Sequence, residues 1–279
     1  MEIWLGDYGT PQLIREVRAQ MGLDRPIWEQ YARFVSQISS GQLGRSLRTN
    51  RPVLGELRLQ YPYTIQLTAA SVVISSSLGL AVGILAAIRH NSMFDLLAMA
   101  TAMFWISVPA FWLGLILLIF FAATLGWFPI AGAGNPAQPL SLAYYLVLPA
   151  LTLGARGTAV VARMTRSAMI DVLSEDYVRT ARAKGLAERL VMWRHALRNA
   201  LAPILSIIGI ELVALMGGAV VIETVFSRPG VGRLLVNAVS ARDYPMVQGT
   251  IFFFAAAVIA INFLTDLAYA LVDPRIRYA

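Results

Sequence analysis

Residues 171–203 read DVLSEDYVRTARAKGLAERLVMWRHALRNALAP, a charged stretch between two apolar ones. It is too polar to lie in lipid, yet it carries the signals of ordered structure. Ser174 suits a helix N-cap, with Glu175 and Asp176 in the first turn, where the helix dipole favours negative charge. Arg179, Arg182 and Lys184 fall in the last turns, where positive charge is favoured, and Gly185 suits the left-handed position that ends a helix. A second helix is predicted over residues 187–198, with Leu190, Val191, Trp193 and Leu197 as its apolar stripe, and Pro203 restricts the backbone beyond it. A short basic helix–turn–helix held between apolar spans has the shape of a docking element. Gly185 sets the angle between its arms, and a side chain there strains the turn. Tyr177, Thr180 and Ala181 share one face by helical spacing, and small residues there allow close approach to a partner. On spacing alone, an ordinary basic hairpin beside a membrane accounts for the same residues.

Taken whole, the chain is 57% hydrophobic and 14% charged, against about 25% charged in soluble domains. That composition is the mark of an integral membrane protein. The net charge of +7 comes from 22 Arg and one Lys against 16 acidic residues. A basic balance suits nucleic acid, but here the cations cluster beside apolar spans, as the positive-inside bias requires. With no cysteine, the chain forms no disulfide and offers no thiolate for catalysis or metal binding. No cleavable signal peptide is visible at Met1.

Residues 59–88 contain no Asp, Glu, Lys or Arg, and neither do residues 96–155, a run of 60. A bilayer crossing takes about 20 residues, so the longer run holds more than one. Gly126, Pro129, Gly132, Gly134, Asn135, Pro136 and Pro139 mark the loop that divides it. Five spans are predicted, at 62–88, 95–123, 142–164, 201–222 and 248–270, making an all-α polytopic bundle. Residues 163–199 carry eight basic residues and residues 124–141 none, so the loop 165–200 is expected in the cytoplasm and the 124–141 loop outside. Five spans then put residues 1–61 outside as an N-terminal segment, ahead of a transmembrane domain over 62–279 whose tail, with Arg275 and Arg277, is inside. The eight Arg of residues 1–61 oppose that placement.

No motif supports chemistry in this chain. A P-loop needs Lys followed by Ser or Thr, and the single lysine, Lys184, precedes Gly185. GxSxG and HExxH are absent, and His90 and His195 flank different spans, so neither a catalytic residue nor a metal or cofactor is expected. Ionisable groups inside a membrane are costly and are functional candidates. Glu211, Asp266 and Arg156 qualify, with Asn262 one turn from Asp266. Either Glu211 lines a water-filled path and meets the substrate, or it pairs with a residue such as Arg156 and only fixes packing. Asp95, at a span end, reads as interfacial. Pro109 kinks the second span, as a gate or as mere shape. Gly79 and Gly83, four apart, allow close helix contact. Trp127, Tyr144 and Tyr145 fit an interfacial belt. Residues 223–247 are expected outside, with a short helix over 231–241.

The segment 171–203 resembles the EAA loop of bacterial ABC-importer permeases, in the dipeptide, oligopeptide and glutathione branch. The residues that carry this are 176–185 (DYVRTARAKG), 194–200 (RHALRNA) and Pro203. Arg179, Thr180 and Ala181 stand where the general pattern has Glu-Ala-Ala, and the distance from Gly185 to Pro203 is longer than in that pattern; both departures are typical of the peptide branch. Further matches run along the chain: 22–26 (GLDRP), 44–47 (GRSL), 108–111 (VPAF), 125–127 (LGW), Gly217-Gly218, 223–226 (ETVF), 242–245 (RDYP) and 273–278 (DPRIRY). The resemblance implies a type I permease fold with an extra helix ahead of residue 1, so the expectation is a first span missing through a late start or a truncation. It implies that Tyr177, Thr180, Ala181, Arg182, Lys184, Gly185 and Pro203 belong to an ATPase-coupling loop. Glu211, Asn262, Asp266 and Pro109 are candidates for the translocation path. It also implies a second homologous permease, two ATP-binding subunits, an external solute-binding protein and a peptide-like substrate, within membrane lipid.

Two other readings compete. An ion-gradient transporter needs coupling carboxylates and usually internal repeats, and no convincing repeat is visible. A membrane-anchored nucleic-acid-binding protein would use 172–199 as its reading head, but that segment is tethered at both ends beside the bilayer, and no nucleic acid partner is expected.

Overall fold

The computed structural model describes residues 24–272, and Gln12 besides, with side chains through residue 267. The motif at 273–278, the tail arginines and the first two residues of the 22–26 motif lie outside the described residues. Helices dominate and no strand occurs among the described residues. In chain order they are α1 (Ile27–Ser39), α2 (Val53–Ile88), α3 (Met93–Ser107), α4 (Ala110–Leu117, running on as a wide π turn over Leu118–Thr124), α5 (Pro139–Leu173) and α6 (Asp176–Ala183). Then come α7 (Glu188–Leu190, with a π segment over Val191–Leu197), α8 (Arg198–Val225), α9 (Val231–Ser240) and α10 (Tyr244–Val272).

Four described helices are long and apolar enough to cross a bilayer: Val53–Ile88, Pro139–Leu173, Glu188–Val225 and Tyr244–Leu267. A fifth crossing exists if α3 and α4 count as one, and they meet at 99°. The straight span expected at 95–123 is therefore broken. The cause is local. Val108 is extended (φ −77°, ψ 124°), as a residue before proline prefers to be, and Pro109 then caps α4. The other spans exceed their expected lengths, and two of them start early because Pro62 and Pro203 do not stop the helix. Pro62, Pro149 and Pro203 all lie inside helices; neighbouring helices and side chains can make good the lost bond in a membrane span.

The chain divides into two compact units, one of Met1–Leu59 with Leu235–Phe252, the other of Gln60–Leu234 with Phe253–Ala279. Within the first, two distant motifs meet. Asp243 is buried, and its carboxylate accepts hydrogen bonds from the Ser46 hydroxyl, from the backbone N–H of Leu47 at 3.1 Å and from that of Met246 at 3.4 Å. The 44–47 and 242–245 stretches are thus joined across 197 positions of sequence.

Within the second unit one core gathers Leu67, Leu148, Leu153, Leu215, Ile222 and Phe226, and another gathers Met169, Met192, Ala196, Ala200 and Ile204. Gly79 and Gly83 let α2 and α5 touch, as their spacing implies: a Cβ on Gly79 would come within 2.7 Å of Val161, and one on Gly83 within 2.5 Å of the Ala162 carbonyl.

Candidate functional site

The hairpin begins where α5 ends. Ser174 is not its cap. It sits in helical geometry as the last turn of α5, and its hydroxyl donates to the Asp171 carbonyl at 2.7 Å, so Glu175 takes the N-cap position of α6 without a side-chain bond. The far end of α6 follows the sequence closely. Gly185 has φ 78°; its N–H donates to the Arg182 carbonyl at 2.9 Å, and Leu186 N–H donates to the Ala181 carbonyl at 3.4 Å. These two bonds make a Schellman close, which satisfies carbonyls that a helix end leaves open. Chain neighbours aside, no described residue lies within 4 Å of where a Cβ on Gly185 would project.

Three contacts hold the arms together. Val178, Ala181 and Val191 pack into a small apolar cluster. Arg182 grips Glu188 with two nitrogens, at 2.7 and 3.1 Å, and this charge-assisted pair raises the Arg182 guanidinium above its ordinary range. Asn199 donates to the Tyr177 hydroxyl at 2.9 Å. Helical spacing groups Tyr177, Thr180 and Ala181, but the structure separates them. Ala181 turns inward with Val178, three residues earlier, while Tyr177, Thr180 and Lys184 stay exposed. The apolar stripe of the second arm is split likewise: Val191 is buried, Leu190 and Trp193 exposed. That arm is no free-standing helix. Its π segment runs straight into α8 and through Pro203, giving one continuous rod, Glu188–Val225.

The intramembrane candidates do not converge. Glu211 is 6% exposed, and its Oε2 lies 3.4 Å from where a Cβ on Gly157 would sit. Arg156 is exposed; no direct ion pair joins it to Glu211 among the described residues, although its charge still acts on that carboxylate. Asn262 and Asp266 are exposed on α10. Pro109 stands at the break between α3 and α4.

Two buried polar clusters lie outside the expected sites, although Glu223 falls in the 223–226 match and Asp95 at a span end. The first surrounds Glu223, fully buried near the end of α8. Its carboxylate accepts from the Thr64 hydroxyl at 2.6 Å and from Arg233 N–H at 3.0 Å, so it meets the first turn of α9, where a helix favours negative charge. Thr64 in turn accepts from Val231 N–H at 2.9 Å. Arg228, also fully buried, donates Nη2 to Gln66 at 3.3 Å and lies 5.9 Å from the Tyr63 ring centre; burial pushes its guanidinium below the usual arginine range. The second cluster is at Asp95. It sits in the first turn of α3, buried and forked by Arg166, with Nε–Oδ1 at 2.5 Å and Nη2–Oδ2 at 2.7 Å. The only hint in sequence was an acid and a base at the ends of two spans.

Residues 79–278 match the family described as binding-protein-dependent transport system inner membrane component, and residues 2–68 match its N-terminal region. The chain belongs to this family. It is therefore the membrane-spanning permease subunit of an ABC importer, a multi-pass inner-membrane protein that works with ATPase and binding-protein partners. The permease is no enzyme; ATP hydrolysis lies on separate subunits. It is 41% identical over 300 residues to a di/tripeptide transport system permease of Pseudomonas aeruginosa, covering 100% of this chain and 89% of that one. It is 44% identical over 273 residues to a glutathione transport system permease of Escherichia coli, covering 98% and 87%. The fold is similar to that of the inward-facing MetNI methionine ABC transporter, with TM-score 0.66, 17% identity, and 79% and 97% of the two chains covered.

Proposed function

We propose that this permease imports short peptides or a related small solute such as glutathione, and that residues 174–197 are the part an ATPase subunit grips. A second, related permease completes the pathway, two ATP-binding subunits drive it, and an external binding protein delivers the solute. Support for the solute class comes from relatives that carry di/tripeptides and glutathione. The hairpin lies in the cytoplasm and residues 1–61 outside, the arrangement that the eight basic residues of 163–199 favour. Glu211 and Pro109 line or shape the path, and Asn262 and Asp266, exposed on α10, face it or the second permease.

The observation that carries the docking reading is the turn at Gly185. Its backbone needs are met within the hairpin, while the space around it is empty and Tyr177, Thr180, Lys184 and Trp193 are exposed. ATP binding closes the ATPase pair, the two hairpins of the paired permeases move with it, and the spans shift from inward-open to outward-open because the closed motor binds that state better. Arg182, through Glu188, ties the second arm to the first, and Pro203 lies where that arm has run on into α8. Gly185→Trp puts a bulky side chain into the empty space. Membrane insertion is expected to be normal, with ATPase co-purification and solute uptake lost. Solute-stimulated ATP hydrolysis at the parent level in such a complex would refute the docking reading.

A further inference from the structure

The fork between Arg166 and Asp95 lies outside the hairpin and outside the candidate path. Arg166 lies near the end of α5, the helix that leads through Ser174 and Glu175 directly into α6. Asp95 lies in the first turn of α3, whose other end is the 99° break at Val108–Pro109. Among the described residues this is the one ion pair that joins two membrane-spanning segments. α3 and α5 also pack directly against each other, so the fork is a directional polar tie added to a helix–helix contact. Of the 15 residues of α3, only Asp95 and Ala102 are buried, while Met93, Leu96, Leu97, Met103 and Phe104 are exposed. A two-point guanidinium–carboxylate fork fixes direction as well as distance. The carboxylate is further held by Asn91 N–H at 3.1 Å and by His90 Nδ1 at 3.3 Å, so it has no freedom to turn away.

We propose that Asp95 and Arg166 are positioning residues forming a strut, which makes α3 follow the end of α5 and so carries hairpin movement to the break at Pro109. This rests on the docking reading of the hairpin. Asp95 has a second duty: its carboxylate accepts from Asn91 N–H at 3.1 Å just ahead of α3, while the Ser92 cap takes the backbone N–H of residue 95 at 3.3 Å whatever its side chain. Arg166→Met cuts the strut and leaves the Asn91 bond in place, so it separates the two roles. Exchanging the charges, Asp95→Arg with Arg166→Asp, restores a pair without the Asn91 bond.

The test uses the complete transporter in vesicles. The chain has no cysteine of its own, so spin labels can be placed at Leu97→Cys on α3 and Glu175→Cys at the start of α6, both exposed sites. With Arg166 intact, the distance between the labels is expected to stay the same when a non-hydrolysable nucleotide is added. With Arg166→Met it is expected to change or broaden, and binding-protein-stimulated ATP hydrolysis to fall to the basal rate while the complex stays assembled. The charge exchange is expected to recover part of the stimulation. The strut is overturned if Arg166→Met keeps both the parent distance behaviour and the parent stimulation, or if the labels already move apart in the parent. A parent complex that hydrolyses ATP but shows no response to binding protein and peptide counts against the peptide-import reading, and the label distance still decides the strut.

Discussion

The turns at Gly185 and Gly230 are made of like parts: a helix end, a short basic stretch and a glycine leading into another helix. Their surroundings are opposite. At Gly185, chain neighbours aside, no described residue lies within 4 Å of a projected Cβ, and the nearby Tyr177, Thr180 and Lys184 are exposed. At Gly230 a Cβ would strike the Glu223 carboxylate, which is already bonded to Thr64 and to the first turn of α9. Where a turn spends its polar groups on its own fold, they act in stability. Where it satisfies only its backbone and leaves its side chains outward, they remain for a partner. In a membrane protein the contrast is sharpened, because an unpaired buried polar group is costly; even so, the buried Arg228 beside the Gly230 turn keeps Nε and Nη1 without a hydrogen bond, balanced by the Glu223 charge and the Tyr63 ring.

Glu223→Ala tests the buried side most severely. It removes the acceptor of Thr64 and Arg233 and leaves the Arg228 charge without its nearest balancing charge, at a cost of about 3–5 kcal/mol. Thermal unfolding of the purified permease should show a large drop, and an unchanged midpoint would erase the contrast. Next comes a matched pair. Gly230→Ala forces a methyl against a held carboxylate and should cost about 1–3 kcal/mol. Gly185→Ala meets no atom and should cost only the left-handed backbone strain of about 1–2 kcal/mol. Unfolding midpoints measured side by side would blur the comparison if Gly185→Ala proved the more damaging. Arg182→Ala is the mildest. Both partners of that pair are substantially exposed, so its loss should cost about 0.2–1 kcal/mol, and any larger fall in ATPase co-purification would have to come from the partner surface.

The long apolar runs, the loop divided by Gly126 to Pro139 and the left-handed turn at Gly185 were all legible in the sequence, because each follows from a short-range rule of hydropathy or backbone conformation. The break at Pro109 was legible as a kink, though its size was not, since the angle depends on what the two halves pack against. Ala181 was misplaced for a related reason: spacing tells which residues share a face, but Val178 and Val191 decide which face turns inward. Ser174 went to the preceding helix because α5 runs on to Leu173. The joins between Asp95 and Arg166, Ser46 and Asp243, and Thr64 and Glu223 span 71 to 197 positions, and no periodicity within one segment reports such distant partners.

The unbroken passage from Glu188 to Val225 has a mechanical consequence. At about 1.5 Å per residue its 38 residues make a rod of about 57 Å, nearly twice the roughly 30 Å of a hydrocarbon layer. The proposed grip at Trp193 and the buried Glu223 are thus two points on one passage with no loop between them, and a tilt imposed at the first reaches the second except for what the π segment and Pro203 absorb.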